Sequence, residues 1–408
     1  MRVHLICAAF PPFGKGGGPV ASELIARALV LAGHEVEVLT VSETPYEDNR
    51  GAYWVRSIGS PNIYANYWRP NAPWKKLIWH VLENFNPVAL IRVWNRLRRF
   101  RPDLVMTVSV ENINVATWVA AKLRGLPLVH VLQSYFIICW RGSLYRNNAN
   151  CDKICASCRL LSFGKKLSAK CVDAVVGETH FVISAHIKAG AFRKARQYVI
   201  PGPVDPAGTA AFEPNVAPAR NGTLTIGYLG NISPEKGLGT LAEAARRLFG
   251  THAGRVRFRI AGSGAEDYVA EIRSRFPPQT TEFVGWTDAS KFYRTVDVVV
   301  VPSLWKEPFG RVSIEPLAYG VPVLVARSGG LPENIEDGVS GIVFSPGDDA
   351  ELARHLAQLF SDRPRLERLS KGARERAKIY EFSRFSHSLN RLVGEIGEKR
   401  ANIGKSPP

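Results

Sequence analysis

The stretch "KEPFGRVSIEPLAYGVPV" (306–323) carries two glutamates, Glu307 and Glu315, separated by a Pro-Phe-Gly turn. Carboxylates accept hydrogen bonds from paired hydroxyls, and the free amides at a helix start hold phosphate. Pro308 and Gly310 disfavour one continuous helix from 307 to 315, so a helix is expected to begin near Arg311. That places the amides of Phe309–Val312 at a helix N-terminus, Glu315 about one turn inside to accept two vicinal hydroxyls, and Glu307 in the loop, facing whatever lies beyond the phosphates. The plain alternative pairs both glutamates with Arg311 and Lys306. Spacing does not decide between them, because glutamates eight positions apart also occur at Glu35/Glu43, Glu235/Glu243 and Glu367/Glu375.

Three other groupings could carry chemistry. Cys139, Cys151, Cys155 and Cys158 are spaced C-x11-C-x3-C-x2-C, a set able to bind zinc through four thiolates or to remain free thiols in a basic loop with Arg141, Arg146, Lys153 and Arg159. Cys7 and Cys171 read as core. "PPFGKGGGPV" is a glycine loop after the first strand, but it misses the dinucleotide fingerprint: Gly14 and Gly16 require glycine at 19, which is Pro19, and no acidic residue closes "EVEVLT". Segment 67–102 interleaves Trp68, Trp74, Trp79 and Trp94 with Arg69, Lys75, Lys76, Arg92, Arg96, Arg98, Arg99 and Arg101. Such a face suits an anionic membrane surface. The same composition can bind RNA by stacking, or bury its tryptophans and leave the cations in water.

The elements that must position these groups fill a chain of 408 residues, enough for two domains. The first strand, "RVHLICAAF", meets Pro11-Pro12 too early for a signal peptide, and no apolar run spans a bilayer, so a cytoplasmic location with reduced cysteines is expected. The net charge of +17 is uneven: residues 1–200 hold 26 Lys/Arg against 12 Asp/Glu, residues 201–408 hold 27 against 24. A basic first half points to a polyanionic partner. Strand, glycine loop, helix, strand opens a parallel doubly wound sheet, with "PDLVMTVS" and "PLVHVLQS" as later strands about a helix at Val115–Arg124. The pattern restarts after the linker "YVIPGPVDPAGTAAFEPNVAPARNG" with "LTIGYLG", "RVRFRIAG", "TEFVGW", "VDVVVVPS", "PVLVA" and "GIVFS" as strands. The expected domains are 1–202 and 203–382, with a helix at about 383–400 packing back on the first, a flexible tail at 400–408, and ligands at the strand ends in a cleft.

Four ordered blocks, "GGGPV…GHEVEVLT", "GYLGNISPEKGL", "FVGWTDASKFYRTVDVVVVPS" and "EPFGRVSIEPLAYGVPVLVARSGGLPENIEDGVSGIVFSPGD", resemble the family 4 glycosyltransferases, retaining enzymes of the GT-B fold with two Rossmann-like domains. The resemblance runs from Arg2 to about Phe382. It implies that Glu315 holds the donor ribose and that Glu307, with the amides of Phe309 and Gly310 beside Arg311, holds the donor sugar. It further implies that Lys236 neutralises the diphosphate, Val284 meets the base, and Gly17-Gly18 allow close approach to the phosphates. The donor would be a UDP-, GDP- or ADP-sugar and the acceptor a glycan or lipid-linked intermediate at a cytoplasmic membrane face, with contact through 67–102. No nucleic acid is expected, nor a catalytic metal; the sequence has no Asp-x-Asp. A subset of the family carries a similar cysteine insertion, which keeps structural zinc open.

The chain departs from the family pattern at three places. Asn231 stands where an arginine is common, Gln133-Ser134 where "His-Asp" is usual, and Pro316 where a small helix former is usual. Gln133 can still hydrogen-bond a sugar hydroxyl without titrating. Two rivals follow: a nucleotide-sugar epimerase sharing the fold, which needs titratable groups that Gln133-Ser134 does not offer, and a degenerate, non-catalytic binding protein, against which Lys236, Glu307 and Glu315 argue.

Overall fold

The computed structural model describes residues 1–13, 16–63, 72–204, 222–252 and 254–403, the side chains of the last six of these excepted. The central part of the proline-rich linker, part of the glycine loop, Trp68, Arg69 and the last five residues of the tail lie outside that set. The chain divides into two compact units, one of Met1–Leu144, Cys151–Pro203 and Phe382–Pro408, the other of Tyr145–Asn150 and Val204–Glu381.

In the first unit an eight-stranded sheet runs in the order Arg196–Val199, Ala174–Gly177, Leu128–Leu132, Leu104–Val108, Arg2–Cys7, Glu35–Ser42, Trp54–Gly59, Glu47–Asn49. All pairs are parallel except the last. Its central strands are apolar without alternation and buried throughout, as a parallel sheet covered on both faces requires. The helix Phe382–Ile403 adds Phe385, Leu389, Leu392, Val393 and Ile396 to this core, spaced to form one helical stripe.

In the second unit six parallel strands run Thr281–Gly285, Val256–Ala261, Leu224–Leu229, Val298–Val301, Val323–Ala326, Gly341–Phe344. The third strand in that order is the first in sequence and the fourth comes after both of its neighbours on the other side, so the winding reverses between Leu224–Leu229 and Val298–Val301. The four valines of 298–301 show why this run is a buried strand. Val298 and Val300 enter the core on one face, Val299 and Val301 the core on the other.

The helix expected from Arg311 is replaced by two 3-10 turns, Arg311–Ser313 and Pro316–Tyr319. Pro316 has no N–H to give to Val312, and Gly310 enters in the left-handed region at φ 83°. The anion site of a full helix N-terminus is therefore absent from this segment.

Among the buried histidines of the first unit, His4, His130 and His186 lose their ordinary proton affinity. Burial lowers His4 to about 4, His130 to about 3 and His186 to about 4. All three are neutral in the fold at pH 7, and each regains an ordinary affinity for protons on unfolding. The unfolded chain therefore binds more protons below about pH 6.5, and stability present above that pH is lost as the solution is acidified toward the folded values. The denaturant midpoint is expected to fall steadily between pH 7 and pH 5, with proton uptake on unfolding approaching three at the acid end; a flat profile there would contradict the burial of these rings.

Candidate functional site

The second sheet brings its best-placed groups together where its winding reverses, the position at which open parallel sheets bind ligands. The loop after Leu224–Leu229 carries Asn231, Ser233, Glu235 and Lys236; the loop after Val298–Val301 carries Ser303, Trp305, Lys306 and Glu307. Lys236 Nζ donates to Glu307 Oε1 at 2.6 Å, and Ser303 Oγ donates to the same oxygen at 2.7 Å. Glu307 is only 6% exposed, and the Lys236 ammonium also lies 4.8 Å above the Trp305 ring. The pairing of Glu307 with Lys306 is not what forms; the partner comes from the other loop.

Two glycines let these loops close. A Cβ on Gly237, at φ 71°, would stand 2.0 Å from Pro302 O, and one on Gly329, at φ 63°, would stand 2.2 Å from Glu307 O. Backbone bonds fix the contact: Leu304 N and Trp305 N donate to Glu235 O, and Gly330 N donates to Glu307 O at 2.7 Å.

Glu315 is held on both oxygens. Arg311 Nε lies 3.2 Å from Oε1, and the buried Tyr293 hydroxyl donates to Oε2 at 3.0 Å. Burial, and then the Glu315 charge, keep the Tyr293 hydroxyl protonated far above its ordinary range. Asn334 stiffens the turn between the glutamates, its Nδ2 donating to Phe309 O at 2.6 Å and to Ser313 Oγ at 2.8 Å. Phe309 is buried, and Val284 lies half-buried at the end of its strand, packed against the core. Asn231 offers no charge; its side chain donates to Ser233 Oγ and its carbonyl accepts from the buried Tyr228 hydroxyl. Burial, then Glu307, raise Tyr228. Ser303, Tyr228, Tyr293, Trp305 and Asn334 were not anticipated from sequence; all but Trp305 stood inside quoted blocks, without any spacing that marked them.

In the first unit, the helix Gly17–Leu31 begins at the expected glycines, and Gly18 faces Gln133, whose Oε1 would stand in ordinary contact, 3.4 Å, from a Cβ there. Gln133 accepts from Ser109 Oγ at 3.0 Å, at the end of the neighbouring strand. Ser134 Oγ donates to Glu111 at 2.6 Å, and burial raises the Glu111 carboxyl above its ordinary range. A titratable acid thus sits one hydrogen bond from the pair read as non-titrating.

The cysteines assemble in part. Cys158 Sγ donates to Cys139 Sγ across 3.6 Å, and this bond lowers Cys139 to about 6 while raising Cys158. That separation is close to the edge of ~3.8 Å expected of four thiolates at 2.3 Å from a zinc ion. Cys155 Sγ is 3.2 Å from Ser157 Oγ. Among the described residues no group of three or more potential ligands is gathered around one point. Cys7 is buried and Cys171 half-buried.

Removing the Tyr293 hydroxyl isolates the role of its bond. Tyr293→Phe is expected to cost about 1.5 to 3 kcal/mol, the worth of a hydrogen bond to a charged group, read as a shift in urea midpoint at unchanged slope.

Two family models match the chain, "Glycosyl transferase 4-like domain" over residues 16–203 and "Glycosyl transferases group 1" over residues 210–376. An uncharacterised 42.6 kDa protein in the cps region of Klebsiella pneumoniae is 27% identical over 82% of this chain and 87% of its own length. The D-inositol 3-phosphate glycosyltransferase of Stackebrandtia nassauensis is 32% identical, over 45% of this chain and 44% of its own. Among solved structures, HepE of Anabaena in complex with UDP superposes with a TM-score of 0.72 at 18% identity, covering 97% of this chain and 100% of that one. The sucrose-phosphate synthase of Thermosynechococcus elongatus gives 0.72 at 18%, covering 97% and 99%. With both halves of the fold matched and the two doubly wound sheets in place, the chain belongs to the family 4-like glycosyltransferases of the GT-B fold.

Proposed function

We propose that this chain transfers a sugar, with retention at the anomeric carbon, from a nucleoside-diphosphate donor to a glycan or lipid-linked acceptor in the assembly of a surface polysaccharide or glycolipid. The observation that carries the reading is the Lys236–Glu307–Ser303 constellation at the reversal point of the second sheet. Lys236 neutralises the diphosphate, Glu307 with the Phe309 and Gly310 amides orients the sugar, Glu315 holds the ribose and Val284 borders the base. Lys236 is then released from Glu307 as the phosphates arrive, so charge is exchanged between partners rather than left unpaired. The bond from the anomeric carbon to the diphosphate breaks, the acceptor oxygen bonds to the same face, and its proton passes to the departing phosphate oxygen. No protein base is needed for that step. The UDP held by HepE and the cps location of the Klebsiella relative support the donor class and the pathway.

Glu307→Ala tests the assignment. Transfer is expected to fall by at least about a thousandfold, while the protein still folds, with a lowered melting temperature because Lys236 and Ser303 lose their partner, and nucleoside-diphosphate binding is kept or tightened, because Lys236 loses its competitor. A well-folded variant with full transfer overturns the reading. A panel of UDP-, GDP- and ADP-sugars scored by thermal shift identifies the donor. Conversion of a nucleotide sugar without any acceptor would assign the epimerase reaction instead, with Glu111 as its candidate acid.

We also propose that the first unit rests on an anionic membrane. No helix among the described residues is long and apolar enough to cross one. Trp79 is core, its indole donating to Glu83, but Trp74, Leu77, Ile78 and Val81 lie exposed along one face of the helix Pro73–Leu82. Exposed Val88 and Ile91 follow on the next helix, among Arg92, Arg98 and Arg99. Asn84 ties this region to Leu161 and Gly164, whose helices present exposed Leu160, Phe163 and Leu167. Leu77→Ser with Phe163→Ser is expected to reduce sedimentation with anionic vesicles at least about tenfold, and salt to weaken the wild type; equal binding to zwitterionic vesicles would overturn the anionic preference. A structural zinc on Cys139, Cys151, Cys155 and Cys158 is supported by the 3.6 Å Cys139–Cys158 edge. About one equivalent is expected in protein purified under reducing conditions, and less than about a tenth would exclude it.

A further inference from the structure

We infer that Asn150 is a positioning residue for the loop that carries Glu307, an inference that rests on the proposed donor site. Tyr145–Arg146 and Ala149–Asn150 form a two-stranded antiparallel hairpin. Its two-residue turn, Asn147 and Asn148, has φ of 52° and 57°, the left-handed pair that a tight hairpin turn demands and that asparagine tolerates. Cys151 N donates to Leu144 O at 2.7 Å and closes its base. The hairpin groups with the second unit although the sequence on both sides of it belongs to the first.

The side chain at its end makes the reason visible. Asn150 Nδ2 donates to Leu304 O at 2.7 Å, and Lys306 N donates back to Asn150 Oδ1 at 3.0 Å. One amide thus spans both ends of the Leu304–Lys306 segment in the manner of a strand partner, leaving Trp305 between the two bonds. Trp305 lies under Lys236, and Glu307 follows the segment directly after Lys306. Glu235 and Ser328 also hold this segment, Ser328 Oγ donating to Trp305 O at 2.6 Å. Those two belong to the unit's own sheet connections. Asn150 comes from 154 positions earlier and fixes the approach to Glu307 from outside them.

The effect belongs to sugar orientation, not to nucleotide affinity, since the groups assigned to ribose and base lie on other segments. Asn150→Ala is expected to lower turnover of the nucleotide sugar, by transfer or by acceptor-free hydrolysis, about tenfold, with nucleoside-diphosphate binding within about twofold of wild type. Asn150→Asp keeps the oxygen that accepts from Lys306 N but sets a carboxylate oxygen against Leu304 O. Its turnover is therefore expected to fall at least as far as that of Asn150→Ala between about pH 6 and pH 8, where the carboxyl is ionised and cannot donate. Turnover of Asn150→Ala within about twofold of wild type, at equal thermal stability, would overturn the assignment. If the wild type itself turns over no nucleotide sugar, the donor reading fails instead. The clamp is then judged by amide hydrogen exchange in the unliganded protein: faster exchange at Lys306 and Glu307 in Asn150→Ala upholds it, and unchanged exchange overturns it.

Discussion

Two loops, one leaving the strand Leu224–Leu229 and one leaving Val298–Val301, are held together by the Lys236–Glu307 ion pair across 71 positions of sequence. Glu307 would not be stable there alone. Glu307 is almost fully buried, and a buried carboxylate without a cation and hydroxyl donors costs several kcal/mol. The pair therefore dictates much of its surroundings: a glycine at 237 so that the first loop can lie against Pro302, a glycine at 329 so that a third loop can cover Glu307, and Ser303 at the base to complete the acceptor's bonds.

The same logic recurs at Glu315, where Arg311 and Tyr293 occupy both oxygens. A site built this way keeps its carboxylates paired and aimed before any ligand arrives. Binding then requires exchange of partners, not creation of new buried charge, which is the less costly route in a low-dielectric pocket. The absence of a cation at Asn231 fits this arrangement, since Lys236 and Arg311 already bring two positive charges to the segment and each is balanced by a glutamate.

Much of the fold was legible because parallel, doubly covered strands are written as continuous apolar runs; Val298–Val301 and Leu104–Val108 could hardly be anything else. Lys236 and Glu307 were legible through ordered blocks, not through the spacing of glutamates, which repeats elsewhere without meaning. What failed to show was of two kinds. Pro316 was recognised, but its cost to the helix was underweighted, and two 3-10 turns resulted. Asn150, Tyr293 and Asn334 act across long stretches of chain, and no local period records which asparagine will meet which backbone segment. Trp79 shows the limit of composition as well: within one basic, tryptophan-rich segment it is core while Trp74 is exposed.

Gln133 acquires a different weight from its neighbours. The nearby His130 is no replacement for an absent histidine, because burial lowers it to about 3 while its Nδ1 is engaged with Thr107 and its ring stacks on Phe192. Glu111, raised by burial, is bonded to Ser134 and not to Gln133. The amide that meets Gly18 and Ser109 is thus a neutral group, able to bond a hydroxyl but not to move a proton. A transfer in which the departing phosphate receives the acceptor's proton makes no demand on it beyond that. An epimerisation would have to recruit Glu111 from its bond with Ser134, and the cost of breaking that short hydrogen bond favours transfer.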